Sequence, residues 1–512
     1  MTLSACLRPF RTATLALGAL ALLCGSLGAT WSIVVVNTRT HEVCVATATC
    51  IPRADITLLV PVIVVGEGGG VTQSVLDSGQ NRLRIRDGLL AGSTPQEMLD
   101  LIAQLDGGFQ QRQIGIVDFE NDPVSFTGVF AGQAKKSVTG RVDELVYAIQ
   151  GNVLAGARVI DECEAALRES TGDLGQRVLA AMVRAREFGG DGRCSCLSGA
   201  PNDCGAPPPN FEKSAHCGCI LIARVGDVDG NCVPGEGCAN GDYYMRLNIK
   251  GGFALPNDPD PIDQLVERYG TWHTNRQGRP DGILSTVEAV DALPADGVTV
   301  RTVRVHLVDL DGVPLVHGGA TVEVAGAEGS TPFAALGPVQ DLGDGSYAFT
   351  LGPVELAPGA PSVLDRLVIT AQDDFVRATL YPFLEVRSDA PAMLHAGRDR
   401  VSASAAVEVP FVVSEPTRPL AKYWLFGELA GASKARGANL GAGGLRFVVP
   451  GRSPFFPAPP GLLDEVGRAQ PSYSAPAGGL LGLIGLRLEW RARIFGAGPM
   501  LESNAVGFDI VP

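Results

Sequence analysis

The sequence predicts a multidomain chain: an α+β layered domain over residues 30–270, followed by two β-sandwich-like domains over 286–388 and 389–512. Three observations carry this reading. Helical and strand periodicities interleave as far as about Tyr269, and only the period of two continues after Val303. All cysteines lie before residue 240. Glycine (64) and proline (35) recur as turn punctuation without a triplet period, which favours β structure and excludes collagen. A length of 512 residues suits about three domains at ~150 residues each. With 46% hydrophobic and 19% charged residues the chain is neither disordered nor a coiled coil. The net charge of −14 repels phosphate backbones and anionic lipid, so no nucleic-acid partner is expected.

In chain order, residues 1–29 carry Arg8 and Arg11, an apolar run from Thr12 to Cys24 and the small-residue stretch Gly25 to Ala29. This is the pattern of a secretory signal peptide, with the mature chain secreted, periplasmic or extracellular. The run is too short to span a bilayer comfortably, and no later stretch reaches 18 uncharged apolar residues, so no stable membrane span is expected. A retained anchor is the alternative. Lipidation at Cys24 is disfavoured by the bulky Leu22-Leu23 before it.

Removing Cys6 and Cys24 leaves ten cysteines: Cys44, Cys50, Cys163, Cys194, Cys196, Cys204, Cys217, Cys219, Cys232 and Cys238. An even number in one region of an exported chain predicts up to five disulfides there. Cys44 and Cys50 are not expected to pair together, because the intervening strand holds them ~20 Å apart. The Cys-x-Cys spacing of 194/196 and 217/219 differs from the Cys-x-x-Cys knuckle, and no metal ligand is assigned. Asp227-Val228-Asp229-Gly230 resembles the start of a calcium loop, but Cys238 stands where the closing Glu belongs, so an Asp-Gly turn is expected.

Trp31–Val36 and Glu42–Thr49 are β-rich runs around a short turn, an opening hairpin. Thr94-Pro95-Gln96-Glu97 is a capping box with Pro at the first helical position, and Met98, Leu99, Ile102 and Leu105 follow at helical spacing. Gln113–Phe119 and Val124–Thr127 read as paired strands. Leu174–Phe188 reads as a helix ended by Gly189-Gly190, with Val178, Leu179, Met182 and Val183 on one face. Residues 271–285 lack apolar periodicity and read as a linker.

From Val303 the chain alternates Val303, Val305 and Leu307 inward with Arg304 and His306 outward. It turns at Asp311-Gly312 and resumes the pattern at Tyr347, Phe349 and Leu351. Leu486, Leu488, Trp490, Ala492 and Ile494 oppose Arg487, Glu489, Arg491 and Arg493 in the last region, which is loop-rich over 428–480.

Several stretches of the first region occur together in a bacterial family catalogued as domain of unknown function 1028. They are Thr30-Trp31-Ser32-Ile33-Val34, Gly70-Val71-Thr72-Gln73, Arg112 to Asp118, Ser125 to Gly128, Gln150 to Gly156, Gly189-Gly190-Asp191 and Pro259-Asp260-Pro261. Residues 30–270 resemble that family. Cys194 to Asp242 departs from it as an expanded, disulfide-stapled segment. Residues 286–388 resemble bacterial immunoglobulin-like repeats of the invasin type.

The family resemblance implies an N-terminal-nucleophile (Ntn) hydrolase-like fold, four layers in the order αββα, whose first residue attacks an acyl carbon with its own α-amine as base. Such an amine titrates near 8, so an appreciable fraction is unprotonated at neutral pH. Signal cleavage after Ala29 would make Thr30 that residue. Ser32 is the fallback hydroxyl, and the bland alternative is that Thr30 is a β-favouring strand residue. Asn152 is the candidate oxyanion donor, against an Asn chosen for a left-handed turn. Gln73, Asp118, Asp191 and Arg193 are candidate pocket residues. No cofactor is expected, and no phosphate loop or Gly-x-Ser-x-Gly elbow is present.

The leading expectation is a secreted amidohydrolase-like protein acting through Thr30 on an unknown small-molecule or peptide amide. The alternative is a non-catalytic secreted binding or surface-structural protein on the same scaffold, with the β domains making cell-surface or matrix contact.

Overall fold

The computed structural model describes residues 30–512 apart from 234, 253–257, 291, 328–329, 357–361, 391–393, 416–417, 419, 431–445, 449–460, 465–466 and 496–499. The expected signal segment, with Arg8, Arg11, Cys6 and Cys24, lies outside the described residues. Two compact units divide between Gln277 and Gly278.

The first unit opens with β1 (Thr30–Asn37) and β2 (Glu42–Thr49), every residue of which is buried. Their hairpin turn is held by Asn37 Oδ1, which accepts from the backbone N–H groups of Arg39 (3.0 Å) and Thr40 (3.2 Å). There follow β3 (Pro61–Val64), β4 (Gly68–Ser74), α1 (Gln80–Leu90), α2 (Pro95–Leu105), β5 (Arg112–Asp118), β6 (Val124–Thr127), β7 (Lys136–Val142) and β8 (Leu145–Asn152). The unit closes with α3 (Arg158–Glu169), α4 (Leu174–Glu187), the single turn α5 (Gly192–Ser195), β9 (Cys217–Ala223), β10 (Met245–Ile249) and α6 (Pro261–Arg276). The capping box of α2 forms as the sequence predicts, with Thr94 Oγ1 accepting from Glu97 N and Glu97 reaching back to Thr94 N.

A six-stranded antiparallel sheet has the order β10-β9-β2-β1-β8-β7, and a four-stranded sheet the order β3-β4-β5-β6. Both faces of the larger sheet are covered, which explains the near-continuous apolar run Ile33-Val34-Val35-Val36. Trp31, Ile33, Val35, Ala46, Tyr147 and Ile149 pack under α3, α4 and α6, against Val159, Cys163, Val178, Met182 and Leu265. The alternate residues Val34, Val36, Val43, Val45 and Ala148 meet Ile63, Val71 and Val117 of the smaller sheet. That sheet's other face, with Val62, Ile114 and Ile116, packs on Ile85, Met98 and Ile102 of α1 and α2. Gly69 lets the sheets approach: a Cβ there would stand 3.0 Å from Val43 Cγ1 and 3.2 Å from a backbone oxygen.

Two expectations are corrected and a third is met in part. Residues 271–276, read as linker, are the end of α6, whose start is set by Asp260 capping Ile262 N and by Pro261 in the first turn. The stapled segment 194–242 is not all insertion, because Cys217–Ala223 within it is β9, an interior strand hydrogen-bonded to both β2 and β10. The sequence allows up to five disulfides, and three form among the described residues. Cys50–Cys194, Cys196–Cys204 and Cys232–Cys238 pair, while Cys44, Cys163, Cys217 and Cys219 are buried thiols. Those four occupy core positions as small apolar groups, and burial pushes each thiol up, Cys217 to about 12.

The second unit holds two sandwiches. In the first, strands Thr286–Val287, Arg301–His306, Ser346–Leu351 and Gln340–Asp341 form one sheet, and Leu293–Pro294, Leu384–Asp389, Val363–Gln372, Thr321–Gly326 and Arg377–Thr379 the other. Val303, Val305, Tyr347 and Phe349 face Val322, Leu367, Ile369 and Val386 between them. In the second, Val409, Phe411 and Val413 of strand Val407–Ser414 face Trp490, Ala492 and Ile494 of strand Arg487–Phe495, with Phe508 and Ile510 beside them. Both alternations read from the sequence are present.

Candidate functional site

The inter-sheet layer of the first unit changes character along β1. Val34 and Val36 are in apolar contact with the smaller sheet, but Ser32 and Thr30, on the same face, enter a buried polar network. Three amides build it. Gln73 on β4 donates through Nε2 to the Thr30 carbonyl (2.9 Å) and to Gln113 Oε1 (3.0 Å), while Ser32 Oγ donates to its Oε1. Gln113 on β5 donates to the Gly151 carbonyl (2.9 Å) and to Thr127 Oγ1 (3.1 Å). Gln150 on β8 donates to the Ser32 carbonyl (3.2 Å) and accepts from Ser125 Oγ (3.1 Å). Gly115 makes the room, since a Cβ there would meet Gln150 Oε1 at 2.2 Å. Buried amides of this kind are tolerated because each finds its partners.

Thr30 heads β1 directly opposite Asn152, the last residue of β8. Its hydroxyl donates to Thr49 Oγ1 at 3.2 Å, and Thr49 Oγ1 also accepts from Arg193 Nη2 at 3.3 Å. Arg193 is held by Asp191 in a two-pronged pair, with Nη2 to Oδ2 at 2.8 Å and Nε to Oδ1 at 3.1 Å. Asp191 is fully buried, and its Oδ2 further accepts from Cys50 N at 2.7 Å. A chain of contacts therefore runs Asp191, Arg193, Thr49, Thr30. Gly190 (φ +54) admits the turn that aims it, for a Cβ there would collide with the Trp31 ring at 2.6 Å.

Asn152 Nδ2 donates to Ser74 Oγ (3.1 Å) and to the Ala131 carbonyl (2.9 Å), and Ser74 Oγ donates to the same carbonyl (3.1 Å). The left-handed residue of this turn is not Asn152 but its neighbour Val153 (φ 50), joined by Ser74 (φ 77) and Ala134 (φ 42). A β-branched residue at positive φ is uncommon, and such conformations concentrate where surrounding structure holds a functional geometry.

Thus Thr30, Asn152, Gln73, Asp191 and Arg193 come together, with Ser32 one pleat deeper. Asp118 does not join them. It lies at the far end of β5, five residues from Gln113 and so ~17 Å along the strand, where it caps the turn by accepting from Glu120 N and Asn121 N. The calcium reading also ends here: Asp227 accepts from Arg224 N and Tyr244 N, and Asp229 from Val65 N, so both carboxylates are used as turn and loop caps. Burial, partly offset by those N–H groups and by Arg224 and Arg276, raises Asp227 to about 6. Sequence reading missed Thr49, Ser74, Gln113 and Gln150. The usable signal was a Gln at inward positions of otherwise apolar strands, as in Tyr147-Ala148-Ile149-Gln150.

Beside this network, His216 precedes β9 and donates its backbone N–H to the Thr49 carbonyl at 2.8 Å. Burial, then Lys213, lowers the pKa of its imidazole. Among the described residues no helix is long and apolar enough to cross a membrane.

Residues 30–200 match the model of a family of unknown function, DUF1028. Among solved structures the chain is similar to a DUF1028 protein from Silicibacter pomeroyi at 18% identity, covering 48% of this chain and 88% of that one, with a TM-score of 0.34. It is also similar to the Yersinia pseudotuberculosis adhesin InvE (17% identity, 44% and 58% covered, TM-score 0.19). The Escherichia coli adhesin FdeC is similar at 10% identity (78% and 92% covered, TM-score 0.18). No curated protein matches the sequence.

Proposed function

We propose that the chain is an exported, non-catalytic binding or surface-structural protein in which a layered scaffold of Ntn type, stapled by disulfides, precedes β-sandwich modules that make the surface contact. One observation carries this reading. Asn152 is fully buried and both its amide protons are spent on Ser74 and Ala131, so the expected oxyanion donor is not presented to a substrate. Three disulfides suit an oxidising compartment. The outward face of strand Arg487–Phe495 carries Arg487, Glu489, Arg491 and Arg493, and the exposed Trp424 stands edge-on to Phe495 at 5.3 Å beside it, a surface fitted to polar and aromatic contact.

A second reading, acyl hydrolysis by Thr30, is favoured by the left-handed Ser74 and Val153 around it. It requires a free amine at Thr30. The deciding experiment treats the exported protein, after intact-mass determination of its N-terminus, with an acylating β-lactone probe. No adduct at Thr30 is expected. An adduct that disappears in Thr30→Ala would sink the binding reading and establish the second.

A further inference from the structure

We propose that Cys50, Cys194 and His216 form a site for a soft divalent metal, zinc in type, that alternates with the Cys50–Cys194 disulfide. One ligand atom from each of the three lies within 4.8 Å of the others, and among the described residues this is the one cluster of three such groups. Among the described residues the other two disulfides have no third ligand of this kind.

The three positions are fixed from outside the cluster. The backbone N–H of Cys50 donates to Asp191 Oδ2 (2.7 Å), that of Cys194 to the Asp191 carbonyl (3.0 Å) and that of His216 to the Thr49 carbonyl (2.8 Å). His216 Nδ1 is buried and makes no hydrogen bond among the described residues. A buried ring nitrogen without a partner is costly unless something is there to receive it. Tetrahedral zinc with bonds of ~2.3 Å to sulfur and ~2.0 Å to nitrogen sets ligand separations of about 3.5–3.8 Å. Opening the S–S bond to that spacing is a small movement for residues whose Cα atoms stand 5.8 Å apart.

The chemistry balances with a thiol or phosphine reductant. The S–S bond breaks, two electrons and two protons give two thiols, and the reductant is oxidised. Zn²⁺ then displaces both protons to water and bonds two thiolates and one neutral imidazole, leaving a net-neutral centre with its fourth position open. Either clasp, covalent or metal, holds β2 against the turn that carries Asp191 and Arg193.

The test uses the full chain, oxidised or reduced with a phosphine, titrated with Co²⁺ as a spectroscopic stand-in. Reduced wild type is expected to show a thiolate-to-cobalt charge-transfer band saturating at one equivalent, and oxidised protein none. Cys50→Ser/Cys194→Ser should abolish the band although Cys196 and Cys204 remain, and His216→Ala should weaken binding about tenfold or more. Zn²⁺ should raise the melting temperature of reduced wild type and not of the reduced double variant. An absent band in reduced wild type, an undiminished band in the double variant, or equal zinc protection of both overturns the site.

Discussion

The strands of the two units bury themselves differently. In β1 and β2 all eight residues are buried, whereas strand Arg487–Phe495 alternates half-buried with buried residues and strand Val407–Ser414 alternates buried with exposed or half-buried ones. A strand covered on both faces must satisfy any polar side chain inside the protein, while a sandwich strand can leave it to water. Buried polar groups in the second unit accordingly cap turns, as when Asp365 accepts from Phe333 N and Ala334 N. In the first unit they join across sheets, through Gln73, Gln113 and Gln150. All of the described cysteines are in the first unit as well. Specialised geometry thus collects where the fold leaves polar groups no solvent.

The largest break in this contrast is at Trp31, fully buried under α4 with no solvent-facing side to relax toward. Trp31→Ala should cost ~3–5 kcal/mol, about 10 °C in Tm for a unit of this size, read by calorimetry. A smaller loss would mean that the helical layer collapses into the space.

Asp191→Asn comes next. It leaves Arg193 without its two-pronged partner and sets an amide where Cys50 N donates, so a loss of ~3 kcal/mol is expected in urea unfolding. Arg366→Gln, in the exposed Arg366–Glu385 pair of the second unit, should change stability by less than ~0.5 kcal/mol. Equal effects at the two sites would erase the distinction between the units.

What the sequence disclosed follows the same division. Local signals were sufficient for the β1–β2 hairpin, the capping box of α2 and the sandwich alternation, because each depends on residues a few positions apart. The candidate site depends on contacts such as Ser32 with Gln73 and Thr49 with Arg193, 41 and 144 residues apart, which no periodicity encodes. Thr30 and Asn152 follow from the resemblance of their stretches to a known family, whereas Asp118 belongs to a matching strand but to its other end. The interior strand β9 was hidden by the cysteines around it, which drew the reading toward a stapled loop.

A pH-dependent effect sharpens the comparison within the first unit. Asp106 and Asp227 are both capped carboxylates, but their folded values move in opposite directions. Burial would raise Asp106, yet Arg112, Asn81 and the Gly108 N–H outweigh it and hold the carboxyl at about 2. A folded value below that of the unfolded chain means stability fully present above pH ~4 and lost as pH falls toward 2. Asp227, raised to about 6 mainly by burial, binds its proton more tightly in the folded state, so its contribution is full below pH ~4 and is lost as pH rises through 6. Asp227→Asn should therefore flatten the decline in stability between pH 4 and 6, by order 1–2 kcal/mol, and leave the acid limb below pH 4 in place. Asp106→Asn should flatten the acid limb instead. Urea midpoints measured across pH 2–7 decide it: if each variant altered the other's limb, the assignment of these two carboxylates to opposite roles would fail.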